Sequence, residues 1–140
     1  MASWIIPSNP KMFDTLGAFR TLPFVYWAHR LKSIEIGDIV YIYLSAPVSC
    51  IVFKCQVIET DVPFSEEILN DKEFWRNGYT FDKPPLTQKY LKLLPLEENN
   101  NDKLNFWGLK SHGETSCLMG AKRIKDEKYL SYIENNFGIL

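Results

Sequence analysis

The sequence has no excess of charge, no paired cysteines, almost no histidine and no long hydrophobic run, and each shortage removes a class of function. Sixteen Lys and Arg stand against seventeen Asp and Glu, a formal net charge of −1, so there is no global basic field to bind nucleic acid indiscriminately. Any such contact has to come from a local patch. The three cysteines, Cys50, Cys55 and Cys117, are odd in number and contain no CxxC pair, which argues against a disulfide framework and for a reducing compartment. The two histidines, His29 and His112, have no cysteine or carboxylate at metal-ligand spacing, so neither a metal nor a cofactor is expected. The longest mainly apolar run, Ile39 to Leu44, is far short of the roughly 20 residues that cross a bilayer. The opening Met-Ala-Ser-Trp-Ile-Ile-Pro lacks the basic and apolar regions of a secretory signal. The expectation is a cytoplasmic protein with no membrane partner.

Catalytic signatures are missing as well. No phosphate loop, dinucleotide fingerprint, nucleophile elbow or HExxH helix occurs, and the expectation is a protein that is not an enzyme. Cys117 and His112 lie close enough in sequence to serve as nucleophile and base. A buried or incidental cysteine is the commoner case.

What is present suits one domain spanning residues 1–140, with 46% hydrophobic and 24% charged residues. Trp4-Ile5-Ile6 reads as a strand stopped by Pro7-Ser8-Asn9-Pro10. Asp14 is a candidate N-cap for one or two helical turns up to Phe19, and the spacing from Phe24 to Arg30 decides nothing. The strongest signal is Gly37-Asp38 followed by Ile39-Val40-Tyr41-Ile42-Tyr43-Leu44-Ser45, which predicts a central strand covered on both faces. Cys50 to Ile58 predicts a longer strand pairing with it in a meander. From Asp61 to Lys83 the chain turns acidic and reads as a surface excursion with a helical turn around Ile68-Leu69. Tyr90 to Pro95 predicts a third strand ending at the proline, and Glu97 to Lys103 an exposed polar turn. Asn105 to Leu109 reads as a short helix and Asp126 to Phe137 as an amphipathic one, with Gly138 as its stop. The whole predicts short helices packed on a sheet or small barrel.

Four Trp, seven Tyr and nine Phe are many for this length, and Trp4, Trp27, Trp75 and Trp107 stand beside polar or turn residues. A planar base bound in a pocket needs aromatic faces above and below it and polar groups at its edge. The same aromatics serve equally as core and loop anchors. Lys110, His112, Lys122, Arg123, Lys125 and Lys128 gather in the last third. Among them Lys122 and Arg123, which follow Gly120 in a predicted loop, are candidate phosphate contacts; a solvated charged loop is the other reading.

Several of these pieces together resemble the EVE domain of the PUA-like superfamily. They are Trp4-Ile5-Ile6-Pro7-Ser8-Asn9-Pro10, the isolated Trp27, the block from Gly37 to Pro47, the strand Ile51 to Glu59 and Gly120-Ala121-Lys122-Arg123-Ile124. The version here is most similar to EVE-like modules fused to HNH nucleases in bacterial modification-dependent restriction systems, although no HNH motif is present. The resemblance implies an α+β, PUA-like fold, a small twisted β-barrel surrounded by short helices, with a pocket for a modified base flipped out of nucleic acid. It implies that Trp4, Ser8, Asn9, Trp27, Tyr43 and Ser45 surround that pocket. The implied function is a non-catalytic reader of modified DNA or RNA, with modified cytosine in DNA as the leading substrate and a nuclease on another chain as a conceivable partner. The alternative is a small-molecule or peptide-binding module using the same pocket. Trp27-Ala28-His29-Arg30-Leu31 departs from the Arg-Asn-containing pattern of many EVE domains, which leaves the identity of the base open.

Overall fold

The computed structural model describes residues 1–29, 31–76 and 88–137. Among them six strands form one sheet: β1 (Ser3–Ser8), β2 (Val25–Ala28), β3 (Ile39–Leu44), β4 (Cys50–Pro63), β5 (Lys89–Glu98) and β6 (Lys122–Arg123), in the order β2-β5-β4-β3-β1-β6. Three α-helices, α1 (Thr15–Thr21), α2 (Phe106–Ser111) and α3 (Glu127–Asn136), and a 3₁₀ segment over Glu66–Phe74 accompany it. No helix among the described residues is long and apolar enough to cross a membrane.

Every residue of β3 is buried, as its run of β-branched and aromatic side chains requires. It pairs antiparallel with β4 and parallel with β1. Registered partners share a face, so Trp4, Ile6 and Ser8 lie on the face of Val40, Ile42 and Phe53, and Ile5 and Pro7 on the face of Tyr41 and Tyr43. The first face is covered by α1, where Phe19 stacks on Phe53 with ring centres 5.0 Å apart. The second is covered by the C-terminal end of α3, where Phe137 meets Tyr41 at 5.8 Å.

The sheet is not closed into the barrel the resemblance implied. Among the described residues its outer strands, β2 with four residues and β6 with two, each pair on one side only. Register shifts in the β3–β4 and β4–β5 ladders bend the sheet instead. Prolines also stop less than predicted. β1 continues through Pro7 because Ala2 and Ser8 turn their carbonyls toward β3, where Ile39 and Ser45 N–H groups bond them. Pro7, of opposite parity, faces the β6 side, and β6 spans only Trp4 and Ile5, so no ladder bond is lost. β5 likewise runs past Pro95 to Glu98, and β4 extends to Pro63. The predicted helix stop at Gly138 and the end of the acidic excursion lie outside the described residues.

Local chemistry sets the helix starts. Asp14, Asn105 and Asp126 each accept a backbone N–H from the first turn of α1, α2 and α3. Gly37 takes a φ of +96°, which glycine adopts without strain, and delivers Asp38 to the start of β3. There the buried Asp38 carboxylate accepts the Ala2 N–H at 2.9 Å, the Trp4 Nε1–H at 2.9 Å and the Glu35 N–H at 3.0 Å. Desolvation pushes its pKa up, but these hydrogen bonds outweigh it and hold the group below its ordinary 3.8.

Asp38→Ala leaves those donors without their acceptor and is expected to cost about 2–4 kcal/mol in urea unfolding. Because the folded-state pKa is depressed, the Asp38 contribution is complete above 3.8 and is lost as pH falls through the lower folded value. The gap between wild type and variant should therefore narrow in acid.

Candidate functional site

The six residues assigned to one pocket fall on two sides of the sheet. Trp4 is 4% exposed and its indole N–H is bonded to Asp38, so it clamps the start of the sheet. Ser8 is also buried, with its hydroxyl 2.7 Å from that of Thr15. Both face α1. Tyr43 and Ser45 lie across the sheet, with Asn9, along a cleft of about 620 Å³ that Lys11, Phe106 and Met119 also line. Burial raises the Tyr43 phenol pKa, against a hydrogen bond with Ser49. The cleft volume is within the roughly 300–1,000 Å³ usual for small-ligand sites.

Trp27 belongs to a separate aromatic cluster on the α1 face. Its ring meets Phe13 at 6.0 Å, nearly perpendicular, and Phe19 at 6.1 Å. Phe13 in turn meets Trp75 at 4.7 Å, and the backbones of Phe13 and Trp75 form an isolated bridge. Both indoles are half-buried. A single turn joins cluster and cleft: the Asn9 carbonyl accepts the Met12 and Phe13 N–H groups, both at 3.1 Å, so Asn9 lines the cleft while Phe13 enters the cluster. Sequence reasoning missed this use of Trp75; the available signal was an aromatic pair, Phe74-Trp75, in a stretch otherwise acidic. Beside it Asp71 is buried, which pushes its carboxyl up to about 6 against a hydrogen bond with Trp75.

Lys122 and Arg123 were predicted in a loop with free amides; they form β6 instead, registered on Ile5 and Trp4. A second cleft of about 700 Å³ is lined by Trp4, Lys122, Arg123, Lys125 and Tyr129 among others. Lys122 Nζ is 2.7 Å from Glu114 Oε2, and the same carboxylate accepts the Ser116 N–H and hydroxyl and the Tyr129 hydroxyl, each at 2.9 Å. Burial raises the Glu114 pKa, yet its partners together hold it below its ordinary value. Lys122 is thus largely neutralised, whereas Arg123 and Lys125 are exposed.

No protein-family model and no curated protein matches the sequence. Solved structures match it nearly end to end. Protein Atu2648 from Agrobacterium tumefaciens aligns over 100% of this chain and 97% of its own at a TM-score of 0.65 and 12% identity. Human THYN1, in complex with 5-methylcytosine containing DNA, aligns over 96% of both chains at a TM-score of 0.64 and 10% identity. ASCH from Zymomonas mobilis aligns over 97% of this chain and 96% of its own at 0.58 and 8% identity. At these identities the fold is what the proteins share, and here its six strands form an open sheet.

Two carboxylates near the clusters titrate in opposite senses. Glu114→Gln should lower stability by about 1–3 kcal/mol above about pH 5 and converge with wild type in acid, since a depressed carboxylate loses its contribution as pH falls through its folded value. Asp71→Asn should do the reverse, stabilising the protein by about 1–3 kcal/mol near pH 8 and little near pH 4, because a raised carboxyl favours the fold only while protonated. Thermal melts across pH, read by tryptophan fluorescence, check both.

Proposed function

We propose that the domain is a non-catalytic nucleic-acid reader that accepts a flipped modified base, a modified cytosine in DNA, against Trp27. One observation carries this reading: the fold is shared along 96% of both chains with a protein whose structure contains 5-methylcytosine DNA. The half-buried indoles of Trp27 and Trp75, held by Phe13 between them, supply the aromatic faces that a base extracted from its stack requires. The Asn9 carbonyl holds the turn that delivers Phe13 to this cluster, and Ser8, bonded to Thr15 on the same face, is the hydroxyl nearest in sequence to that turn. Discrimination against an unmodified base comes from fit and from polar groups left unmet, typically about 1–3 kcal/mol for each one buried. Arg123 and Lys125 serve as phosphate contacts, with Lys122 positioning β6 through Glu114. Having no chemistry of its own in this reading, the domain acts through a partner, for which we propose a nuclease on another chain.

Fluorescence anisotropy with matched DNA and RNA oligonucleotides, unmodified or carrying 5-methylcytosine, 5-hydroxymethylcytosine or N6-methyladenine, tests the reading. Wild type should prefer one modified strand and bind it more weakly as salt rises, and Trp27→Ala should lose the preference while circular dichroism shows the fold retained. A preference that survives in Trp27→Ala overturns the assignment. Absence of any binding points to a small-molecule or peptide ligand, for which salt matters little.

A further inference from the structure

A second polar group stands on the face of β2 that carries Trp27. The ladder with β5 continues one residue past Ala28, where the His29 N–H donates to the Lys89 carbonyl at 2.9 Å. Alternate residues of a strand line one face, so the His29 ring follows the Trp27 indole on the α1 side, about 7 Å along the chain. The His29 side chain is 10% exposed. Its Nδ1 is buried and, among the described residues, has no hydrogen-bond partner. A buried polar atom left unmet is rare in a folded protein and calls for an explanation.

The other ring nitrogen is fixed. Nε2 lies 3.4 Å from Asp61 Oδ1, a contact that reaches from β4 across β5 to the end of β2. A bulge makes it possible. Between Glu59, registered on Lys92, and Val62, registered on Tyr90, two residues of β4 stand opposite the single Leu91, and Asp61 there takes a φ of +53°. An extra residue re-aims the side chains beside it, and a non-glycine residue held at positive φ marks a conformation imposed by its surroundings. Leu91 is also the partner of Trp27, so the bulge sits on the row that carries the indole. A carboxylate accepts hydrogen bonds and donates none. Facing it, the neutral imidazole keeps its hydrogen on Nε2, which leaves Nδ1 with a lone pair and makes it an acceptor.

An acceptor beside a stacking face suits a base that brings a donor. We infer that His29 Nδ1 accepts a hydrogen bond from the exocyclic amino group of the base stacked on Trp27, with Asp61 as the positioning residue that fixes the tautomer. This rests on the reader function proposed above and adds the chemical class of its substrate, an amino-bearing base. The sharpest contrast is between 5-methylcytosine and thymine. Both carry a methyl at C5, and they differ beside it, where cytosine offers its N4 amino group and thymine the O4 acceptor. A pocket fitted to the methyl alone takes either base. With thymine, O4 and Nδ1 face each other as two acceptors and both stay unmet, which is how a polar site rejects a ligand of the same shape.

Single strands remove the cost of opening a base pair, which differs between a matched cytosine and a mismatched thymine. Anisotropy with strands of about nine nucleotides, carrying one central 5-methylcytosine, cytosine or thymine, compares wild type with His29→Phe and Asp61→Asn. Wild type should bind the 5-methylcytosine strand roughly ten- to a hundredfold more tightly than the thymine strand. His29→Phe keeps an aromatic ring without the acceptor and should bring the two affinities together. Asparagine tolerates the left-handed backbone of the exposed Asp61, and its amide can also donate to Nε2; the hydrogen is then free to move to Nδ1, and the gap should narrow. Nitrogen NMR of the free wild-type ring should show the hydrogen on Nε2. A methyl preference without discrimination against thymine, discrimination unchanged in either variant, or a ring with its hydrogen on Nδ1 overturns the inference and leaves the reader assignment standing. Equal binding of the cytosine and 5-methylcytosine strands, both favoured over thymine through His29, defeats the modified-base assignment and sustains the amino contact. Absence of binding to any strand defeats both.

Discussion

The arrangement depends first on one buried carboxylate. A parallel pair such as β1 and β3 cannot be set by a tight turn, because the chain must travel the length of the sheet before the second strand begins. Thirty residues containing α1 and β2 lie between them. Asp38 supplies the missing fixed point. Its two oxygens hold the backbone of Ala2, the indole of Trp4 and the backbone of Glu35, so the start of β1 is bound to the start of β3 at the only end where the register can be set without help from a hairpin. Everything carried at the other end of these strands inherits that register, including Ser8, the Asn9 turn and Tyr43.

A second buried acid does comparable work further along. Glu114 gathers Ser116, Lys122 and Tyr129, and so joins the segment before β6, β6 itself and α3. Both acids are kept charged by hydrogen bonds that offset their desolvation, while Asp71, with fewer donors, moves the other way. At Asp38 and Glu114 several donors together outweigh desolvation, and at Asp71, more deeply buried and with fewer donors, they do not.

Much of this was legible in residue order. The run from Ile39 to Leu44 and its flanking Gly37-Asp38 marked the central strand, and Asp14 and Asp126 marked helix starts, because those signals are local. The open sheet in place of a barrel, the passage of strands through Pro7 and Pro95 and the strand at Lys122–Arg123 were not legible, since each depends on which neighbour a backbone group faces. The candidate site failed at the same level. The reading set Trp4, Ser8 and Tyr43 around one pocket, whereas the parallel register of β1 on β3 puts Trp4 and Ser8 on one face of the sheet and Tyr43 on the other. Trp75 stood among the candidate aromatics, but its partner was not legible, because Phe13 is 62 positions away in a bridge no periodicity announces.

The pairing of β1 with β6 has a consequence for how the protein is made. Trp4 lies opposite Arg123, so β1, made before the other strands described, holds one edge open until residue 123 has followed it. Its inner neighbour, β3, arrives early and its outer neighbour arrives last. During synthesis at roughly 5–20 residues per second, β1 must wait several seconds with an unpaired flank, and contacts of such long sequence separation are slow to form. The parity of Pro7 becomes useful in that interval: it withdraws an amide from the waiting edge and leaves another chain one fewer group on which to add a strand.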